Sequence, residues 1–245
     1  MTTKEFLGRH FSRMGARILL QEFRPPLQVK IRIDVSRDRS GEFFHVACEE
    51  GVVPEVLDVQ PSTHHLVLMV RDRGSRNKFL LGRDERHWFA AAVPGDNVRD
   101  VRTAIASLRP TEIEGQKAIR QGEWFFVPAM DVPEKGAVIH RNEPLSRGAG
   151  SKPHICQQMM RSGGETVMVS LKNPAGITLG EFQKLLDANP NEHHHWRRMT
   201  RDAEVYVRGE VRHRDHKTID LEGWHRVYMN RERFAKHAPQ IAFLD

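Results

Sequence analysis

The sequence predicts an α+β protein with predominantly antiparallel β-strands and about four helices. Three observations support this prediction. Several short segments alternate apolar and polar residues, as half-buried strands do. Clusters of turn residues separate these segments, which is typical of hairpins. Helical spacing of apolar residues is confined to four segments, at residues 3–20, 97–109, 152–161 and 178–188.

Residues 1–24 predict a basic amphipathic N-terminal helix, and residues 25–245 predict a β-rich body. Apolar residues recur at helical spacing on one face of the first segment: Leu7, Phe11, Met14 and Ile18. Arginines recur every four residues away from that face: Arg9, Arg13 and Arg17. This cationic stripe is either a solvated helix surface or a contact surface for phosphate groups.

The β-rich body opens with a predicted hairpin over residues 29–48, in which VKIRIDV alternates strictly and EFFHVAC follows a turn. The continuous apolar run in HLVLMVR predicts a strand at the centre of a sheet. The helix at 97–109 ends before Pro110, and residues 110–119 are the best place for a boundary between two sublobes. Thr178 and Glu181 have capping-box spacing and start the last helix.

A glycine-containing loop, SRGAGSK, precedes the predicted helix at 152–161. A helix N-terminus with neighbouring cations binds phosphate readily, so Arg147, Ser151 and Lys152 are phosphate-binding candidates. The alternative is an ordinary turn, because the ending of a nucleotide-binding P-loop is missing. Cys156 lies beyond the first helical turn beside two methionines, which predicts a buried structural cysteine.

Two segments read almost alike, RSGEFFHVAC at 39–48 and RQGEWFFVPA at 120–129. Their flanks share nothing, so the similarity does not establish a duplication. Glu42 and Glu123 would act as an acid and base pair only if they met in space. The pattern favours a turn glycine followed by a buried strand in both places.

The composition favours a polyanionic partner. The net charge is +6 with an isoelectric point near 9.6, and 28 of the 38 basic residues are arginine. Arginine presents paired donors to phosphate oxygens, although a genome rich in G and C also raises arginine usage. The first residues lack the apolar region of a secretory signal and no run is long enough to span a membrane, so we expect a cytoplasmic protein without a membrane partner.

Histidines in the C-terminal strands offer the best catalytic hypothesis. His213 and His216 bracket the turn HRDH, and His225 lies on the next strand. With Asp215 or Lys217 they would form an acid and base pair, or hold a divalent metal of unknown identity, for phosphodiester cleavage. The alternative is a polar hairpin turn with no site. The run of histidines at 193–195 favours an exposed loop, since adjacent histidines rarely reach one ion.

Three functions therefore remain open from the sequence. The first is nucleic-acid binding, including RNA, through phosphate contacts on an arginine-rich surface. The second is a histidine- or metal-assisted nuclease or phosphodiesterase. The third is a non-catalytic subunit whose basic face meets an acidic protein.

Overall fold

The computed structural model describes residues 2–23, 31–50, 52, 54–72, 75–95, 97–147, 152–189 and 195–232. The chain forms two compact units. The first unit contains the residues up to Glu114 and the segment that starts at Asn230. The second unit runs from Gly115 to Met229.

Three α-helices and sixteen strands occur in the described residues. The helices are Thr3–Met14 (α1), Val101–Leu108 (α2) and Leu179–Ala188 (α3). The first unit holds strands Ile18–Phe23 (β1), Ile31–Asp38 (β2), Gly41–Glu49 (β3), Pro54–Gln60 (β4), His65–Asp72 (β5), Ser75–Asp84 (β6) and His87–Val93 (β7). The second unit holds Ile119–Gln121 (β8), Trp124–Pro128 (β9), His140–Leu145 (β10), His154–Ser162 (β11), Glu165–Val169 (β12), Ile177–Thr178 (β13), Arg197–Arg201 (β14), Glu204–Arg212 (β15) and Ile219–Met229 (β16).

Helix α1 is shorter than the predicted helix at 3–20. It starts at a capping box, in which the Thr2 hydroxyl accepts from the Glu5 amide. It ends because Gly15 takes a left-handed conformation, with φ of 86°, and donates its N–H to the Phe11 carbonyl. Ile18 therefore begins β1 and is not part of the helix.

The first unit packs α1 and α2 with two small sheets. One sheet has the order β1-β3-β2, and its β2–β3 pair is the predicted hairpin. The β1–β3 pair is parallel, a departure from the antiparallel pairing elsewhere. The other sheet has the order β4-β5-β6-β7, so the apolar run of β5 occupies an internal position, as predicted. Buried side chains of α1 join one core cluster: Leu7, Phe11 and Met14.

The second unit is built around a six-stranded antiparallel sheet of order β10-β11-β15-β16-β9-β8. Its core contains fully or almost fully buried apolar side chains from five of these strands: Trp124, Phe126, Leu145, Met159, Val207 and Val227. A smaller sheet, β13-β12-β14, accompanies α3. The predicted helix at 178–188 is confirmed as α3, and Thr178 and Glu181 form its capping box.

The predicted helix at 152–161 is wrong, because those residues form strand β11. A β-bulge between Cys156 and Gln158 interrupts the alternation of the strand. Buried residues fall at His154, Cys156, Met159 and Met160, and the bulge lets Cys156 and Met159 both be buried although they are three residues apart. The described residues therefore contain three α-helices, one fewer than predicted, within an α+β fold that is mainly antiparallel. Cys156 is buried as predicted, and burial raises the pKa of its thiol to about 12.

None of the helices in the described part of the chain combines the length and the hydrophobicity that crossing a bilayer requires.

Candidate metal centre

Three histidine side chains of the second unit come together: His154, His213 and His216. His154 begins β11, and the other two lie between β15 and β16. The register of the β11–β15 pair explains why His154 and His213 are close together. Ile155 lies opposite Arg212, so the next pair outward is His154 and His213. Directly opposed residues on adjacent strands share one face of a sheet, and here the two ring centroids are 4.2 Å apart.

The turn between β15 and β16 adds the third ring. The centroids of His213 and His216 are 4.6 Å apart, and those of His154 and His216 are 5.7 Å apart. One ring nitrogen of each histidine lies within 4.8 Å of the corresponding nitrogen in the other two. The three imidazoles therefore form a compact cluster whose donors are close enough to share one small partner.

His154 is the buried member of this cluster. Its exposed fraction is 0%, and neither ring nitrogen has a hydrogen-bond partner among the described residues. Burial, with smaller contributions from His213 and His216, lowers the pKa of His154 to about 3. The imidazole is therefore neutral at physiological pH, which is the form that binds a metal ion.

His213 is partly exposed and is oriented by its own turn. The backbone N–H of Asp215 donates to His213 Nδ1 over 3.1 Å. Burial, followed by the charge of His216, lowers the pKa of His213, against the opposing effect of Asp215. The Asp215 carboxylate also forms an ion pair with the Lys152 ammonium, which connects the turn to the residues just before β11.

Gly122, in the two-residue turn between β8 and β9, faces the rings. A side-chain Cβ at this position would lie 3.0 Å from His216 Nε2 and 3.5 Å from His154 Nε2. The φ of 58° at Gly122 also suits glycine at the first central position of such a turn. The turn is held near the histidines by Gln121, whose Nε2 donates to the Lys217 carbonyl over 2.6 Å. Because residue 122 is a glycine, no side chain fills the space beside these two Nε2 atoms.

A cationic cavity lies beside the cluster. It has a volume of about 680 Å³ and is lined by Lys152, Pro153, Ile155, Arg212, His213 and Arg214. His213 thus belongs both to the histidine cluster and to the wall of this cavity. A volume of this size is in the usual range for a small-ligand site.

The histidines predicted as a catalytic set are only partly brought together. His213 and His216 meet, but His225 is not part of the cluster. His225 is buried within β16, where its Nδ1 hydrogen-bonds the Gly223 carbonyl over 3.1 Å. Lys217 is exposed next to His216, and its carbonyl accepts the hydrogen bond from Gln121.

The predicted phosphate-binding residues are distributed over both units. Arg9 and Arg13 are exposed on α1. Arg17 lies beyond the end of α1, where Asp38 accepts two hydrogen bonds from its guanidinium at 2.9 and 2.7 Å. Its charge is therefore largely offset by a carboxylate.

The loop predicted to bind phosphate does not precede a helix, because β11 follows it. Arg147 is partly buried before the loop, and Lys152 is exposed in the wall of the cationic cavity. Ser151 lies outside the described residues. Without a helix N-terminus, the loop lacks the helix dipole that would attract an anion. Lys152 remains a phosphate-binding candidate because it lines the cationic cavity.

Sequence reasoning missed His154 and Gly122 as site residues. His154 was assigned to a helix, where residues two apart point to different faces. The predicted burial of Cys156 therefore did not indicate that His154 is buried as well. On a strand, residues two apart share a face, so the spacing of His154 and Cys156 could have indicated a common buried side. The glycine that the motif RQGEWFF shares with RSGEFF fits a turn in both places, but only Gly122 faces the histidines.

Comparisons with known proteins give no independent assignment. The chain matches no family model, no curated protein and no solved structure. The geometry of the site is therefore the basis on which a function can be proposed.

Proposed function

We propose that the second unit binds the phosphate backbone of a nucleic acid in the cationic cavity. The observation that carries this proposal is the lining of the cavity, where three cationic side chains surround about 680 Å³: Lys152, Arg212 and Arg214. Lys and Arg side chains supply most of the affinity for a phosphate backbone.

A second cavity extends the same cationic surface. It has a volume of about 260 Å³, and Arg141 and Arg212 contribute to its lining. Arg212 therefore borders both cavities. Two spaces that share one arginine suit a ligand with repeated anionic groups better than an isolated anion.

The balance of charge around the two cavities is positive. Four cations, Arg141, Lys152, Arg212 and Arg214, are accompanied by the carboxylates of Glu210 and Asp215, which leaves a surplus of two positive charges. Arg141 and Arg214 are exposed and form no ion pair with another described residue. Their guanidinium groups are therefore available to bind phosphate oxygens in the bidentate manner that arginine favours.

The proposal is tested by fluorescence anisotropy with labelled single-stranded and double-stranded oligonucleotides. For a single strand, the logarithm of the binding constant should fall with the logarithm of salt, with a slope of about 0.7 per phosphate contact. The double variant Arg141→Gln/Arg214→Gln should lose about 1.4 from this slope, because two contacts are removed. Arg102→Gln, a change at an exposed arginine of α2, is the matched control and should leave the slope unchanged.

Several outcomes would overturn the proposal. One is the absence of oligonucleotide binding at low salt. Another is binding that survives the double variant but is lost in Arg9→Gln/Arg13→Gln, which would place the interface on α1. A stable complex with an acidic protein that survives nuclease treatment, without nucleic-acid binding, would instead support a protein-binding subunit.

Phosphodiester cleavage is the second candidate function. The observation that favours it is the position of His213, which lies in the wall of the same cavity as Lys152, Arg212 and Arg214. A phosphate held by these cations would be near an imidazole that could move a proton. His216, which is also predicted as catalytic, lies beside His213 with the two ring centroids 4.6 Å apart.

Cleavage is tested by incubating end-labelled RNA and DNA with the protein in the presence of Mg²⁺, Mn²⁺ or Zn²⁺. We expect His213→Gln to remove cleavage while oligonucleotide binding is retained, because the cationic residues of the cavity are unchanged. Intact nucleic acid after incubation with the wild-type protein under all of these conditions would exclude the nuclease and leave the binding proposal standing.

A further inference from the structure

We propose that His154, His213 and His216 together bind one divalent transition metal ion. This inference depends on the geometry of the histidine cluster and not on nucleic-acid binding. Three protein ligands are typical of catalytic zinc sites, where the remaining tetrahedral position holds water or substrate.

The strongest observation is the burial of His154. A side chain that is 0% exposed normally has its polar atoms paired, yet neither nitrogen of His154 has a hydrogen-bond partner among the described residues. A metal ion would supply a partner for one of these nitrogens.

The second observation is the open space beside Gly122. The Nε2 atoms of His154 and His216 lie 3.5 and 3.0 Å from the position that a Cβ at residue 122 would occupy. Both Nε2 atoms are therefore near the same point, and no side chain of residue 122 fills it.

The ligand type limits the metals that fit. Imidazole nitrogens suit Zn²⁺, Cu²⁺ and Ni²⁺, whereas Mg²⁺ and Ca²⁺ prefer oxygen ligands. The cluster contains three histidines and no carboxylate or thiol among the described residues. Of the metals that suit imidazole, Zn²⁺ is the one whose usual geometry leaves a fourth tetrahedral position.

Metal binding requires the cluster to close slightly. The ligand nitrogens lie within 4.8 Å of one another, whereas nitrogens about 2.0 Å from one tetrahedral ion are about 3.3 Å apart. The rings are stacked with interplanar angles of 19–30°, so they must turn to direct their lone pairs at one point. Rotation of an imidazole about its outer side-chain torsion has broad energy wells, which makes this adjustment inexpensive.

The Asp215 amide is a natural reporter of this change. Its N–H donates to His213 Nδ1, so this nitrogen carries no hydrogen in the metal-free structure. If the ion binds His213 at Nε2, Nδ1 must take up the hydrogen and the bond from Asp215 is lost. If it binds at Nδ1, the ion replaces the amide as the partner. Either way, the Asp215 amide resonance should shift when the metal binds.

The first experiment titrates chelator-treated full-length protein with Zn²⁺ and with Co²⁺. We expect one ion per chain by calorimetry, the visible absorption of tetrahedral Co²⁺, and a shift of the Asp215 amide resonance. The competing site is the run of histidines at 193–195. In a variant with these three residues changed to Gln, binding at the proposed site should persist.

Two substitutions test the assigned ligands. His154→Leu should weaken Zn²⁺ binding by more than about 100-fold, since loss of an outer-shell partner alone typically costs 10–100-fold. Gly122→Ala should also weaken binding, because its methyl group would lie 3.0 Å from His216 Nε2 and 3.5 Å from His154 Nε2 and would crowd the rings. Gly115→Ala is the matched control, since Gly115 has a similar positive φ of 77° but no atom within 4 Å of the added Cβ.

The proposal is overturned if the wild-type protein binds neither metal, or if binding disappears when residues 193–195 are replaced. It is also overturned if the Asp215 amide is unaffected by saturating Zn²⁺. Because these readouts use no nucleic acid, failure of the metal site and failure of nucleic-acid binding are distinguishable.

Discussion

The unpaired nitrogens of His154 predict that its replacement stabilises the metal-free protein. The side chain is 0% exposed, and neither nitrogen has a hydrogen-bond partner among the described residues. A neutral imidazole has one donor and one acceptor, and leaving a buried polar group unpaired costs about 1–3 kcal/mol. Leucine has a similar size and no polar atoms, so His154→Leu should remove this cost.

The size of the gain follows from two opposing effects. Removing an unpaired donor and an unpaired acceptor stabilises the fold by about 2–4 kcal/mol, taking the lower part of the range for each group. Packing the branched aliphatic side chain of leucine into the space of the planar imidazole ring costs about 1 kcal/mol. We therefore expect the free energy of unfolding to rise by about 1–3 kcal/mol. The melting temperature would rise by about 2–4 °C for each kcal/mol in a chain of this size.

The assay is urea unfolding in the presence of a chelator, followed by tryptophan fluorescence. Trp124 and Trp224 are 1% and 7% exposed in the second unit and report on its unfolding. His225→Leu is the matched control, because His225 is also buried, at 4% exposed, but its Nδ1 is hydrogen-bonded to the Gly223 carbonyl. The control should be destabilised by about 1 kcal/mol through loss of that bond.

Added Zn²⁺ should reverse the order of stability. At a free concentration 1,000 times the dissociation constant, binding stabilises the wild type by about 4.1 kcal/mol, which exceeds the expected gain of about 1–3 kcal/mol in His154→Leu, and the variant gains nothing from the metal. A metal-free His154→Leu protein that is less stable than the wild type would refute the reasoning. Such a result would mean that the buried ring is stabilised by its surroundings without a metal.

Two further predictions concern other parts of the chain. In the first unit, Glu42 accepts hydrogen bonds from His87 and the Trp88 amide, and these outweigh burial, so its pKa lies below the ordinary 4.5. A lowered carboxyl pKa stabilises the fold above about pH 4.5 and ceases to do so as pH falls through the folded-state value. The stability difference between wild type and Glu42→Gln, measured by urea unfolding, should therefore shrink between neutral and acidic pH, and a constant difference would contradict this. In the second unit, Gly164→Ala should lower the melting temperature more than Gly163→Ala, because the added Cβ would lie 2.8 Å from the Arg201 carbonyl at Gly164 and in open space at Gly163. Both glycines have positive φ, so equal effects would show that backbone strain alone decides the outcome.

Much of the fold could be predicted because strand signals are local. Strict alternation in the segment that forms β2 and the continuous apolar run of β5 led to the correct hairpin and the correct internal strand. Likewise, the capping box of Thr178 and Glu181 located the start of α3. In each case the pattern within one segment was enough to predict the element. Residues close in sequence supply the capping hydrogen bonds of a helix start, and they define the buried face of a strand.

The errors have local physical causes as well. The bulge in β11 interrupts the alternation by which a strand is recognised, and residues 152–161 were predicted as a helix instead. In α1, the pattern continued to Ile18, but Gly15 ended the helix earlier. A single residue with special backbone geometry can thus override a hydrophobic pattern.

The sequence by itself determined the alternating strands, the capped helices, the basic composition and the pairing of His213 with His216 across one short turn. Only the tertiary structure decided that His154 joins them and that His225 does not. The physical reason is strand register, which places His154 next to His213 across the β11–β15 pair although the two residues are far apart in the chain. The tertiary structure likewise decided the role of Gly122. Its turn between β8 and β9 lies next to His154 and His216, which are distant from it in the chain.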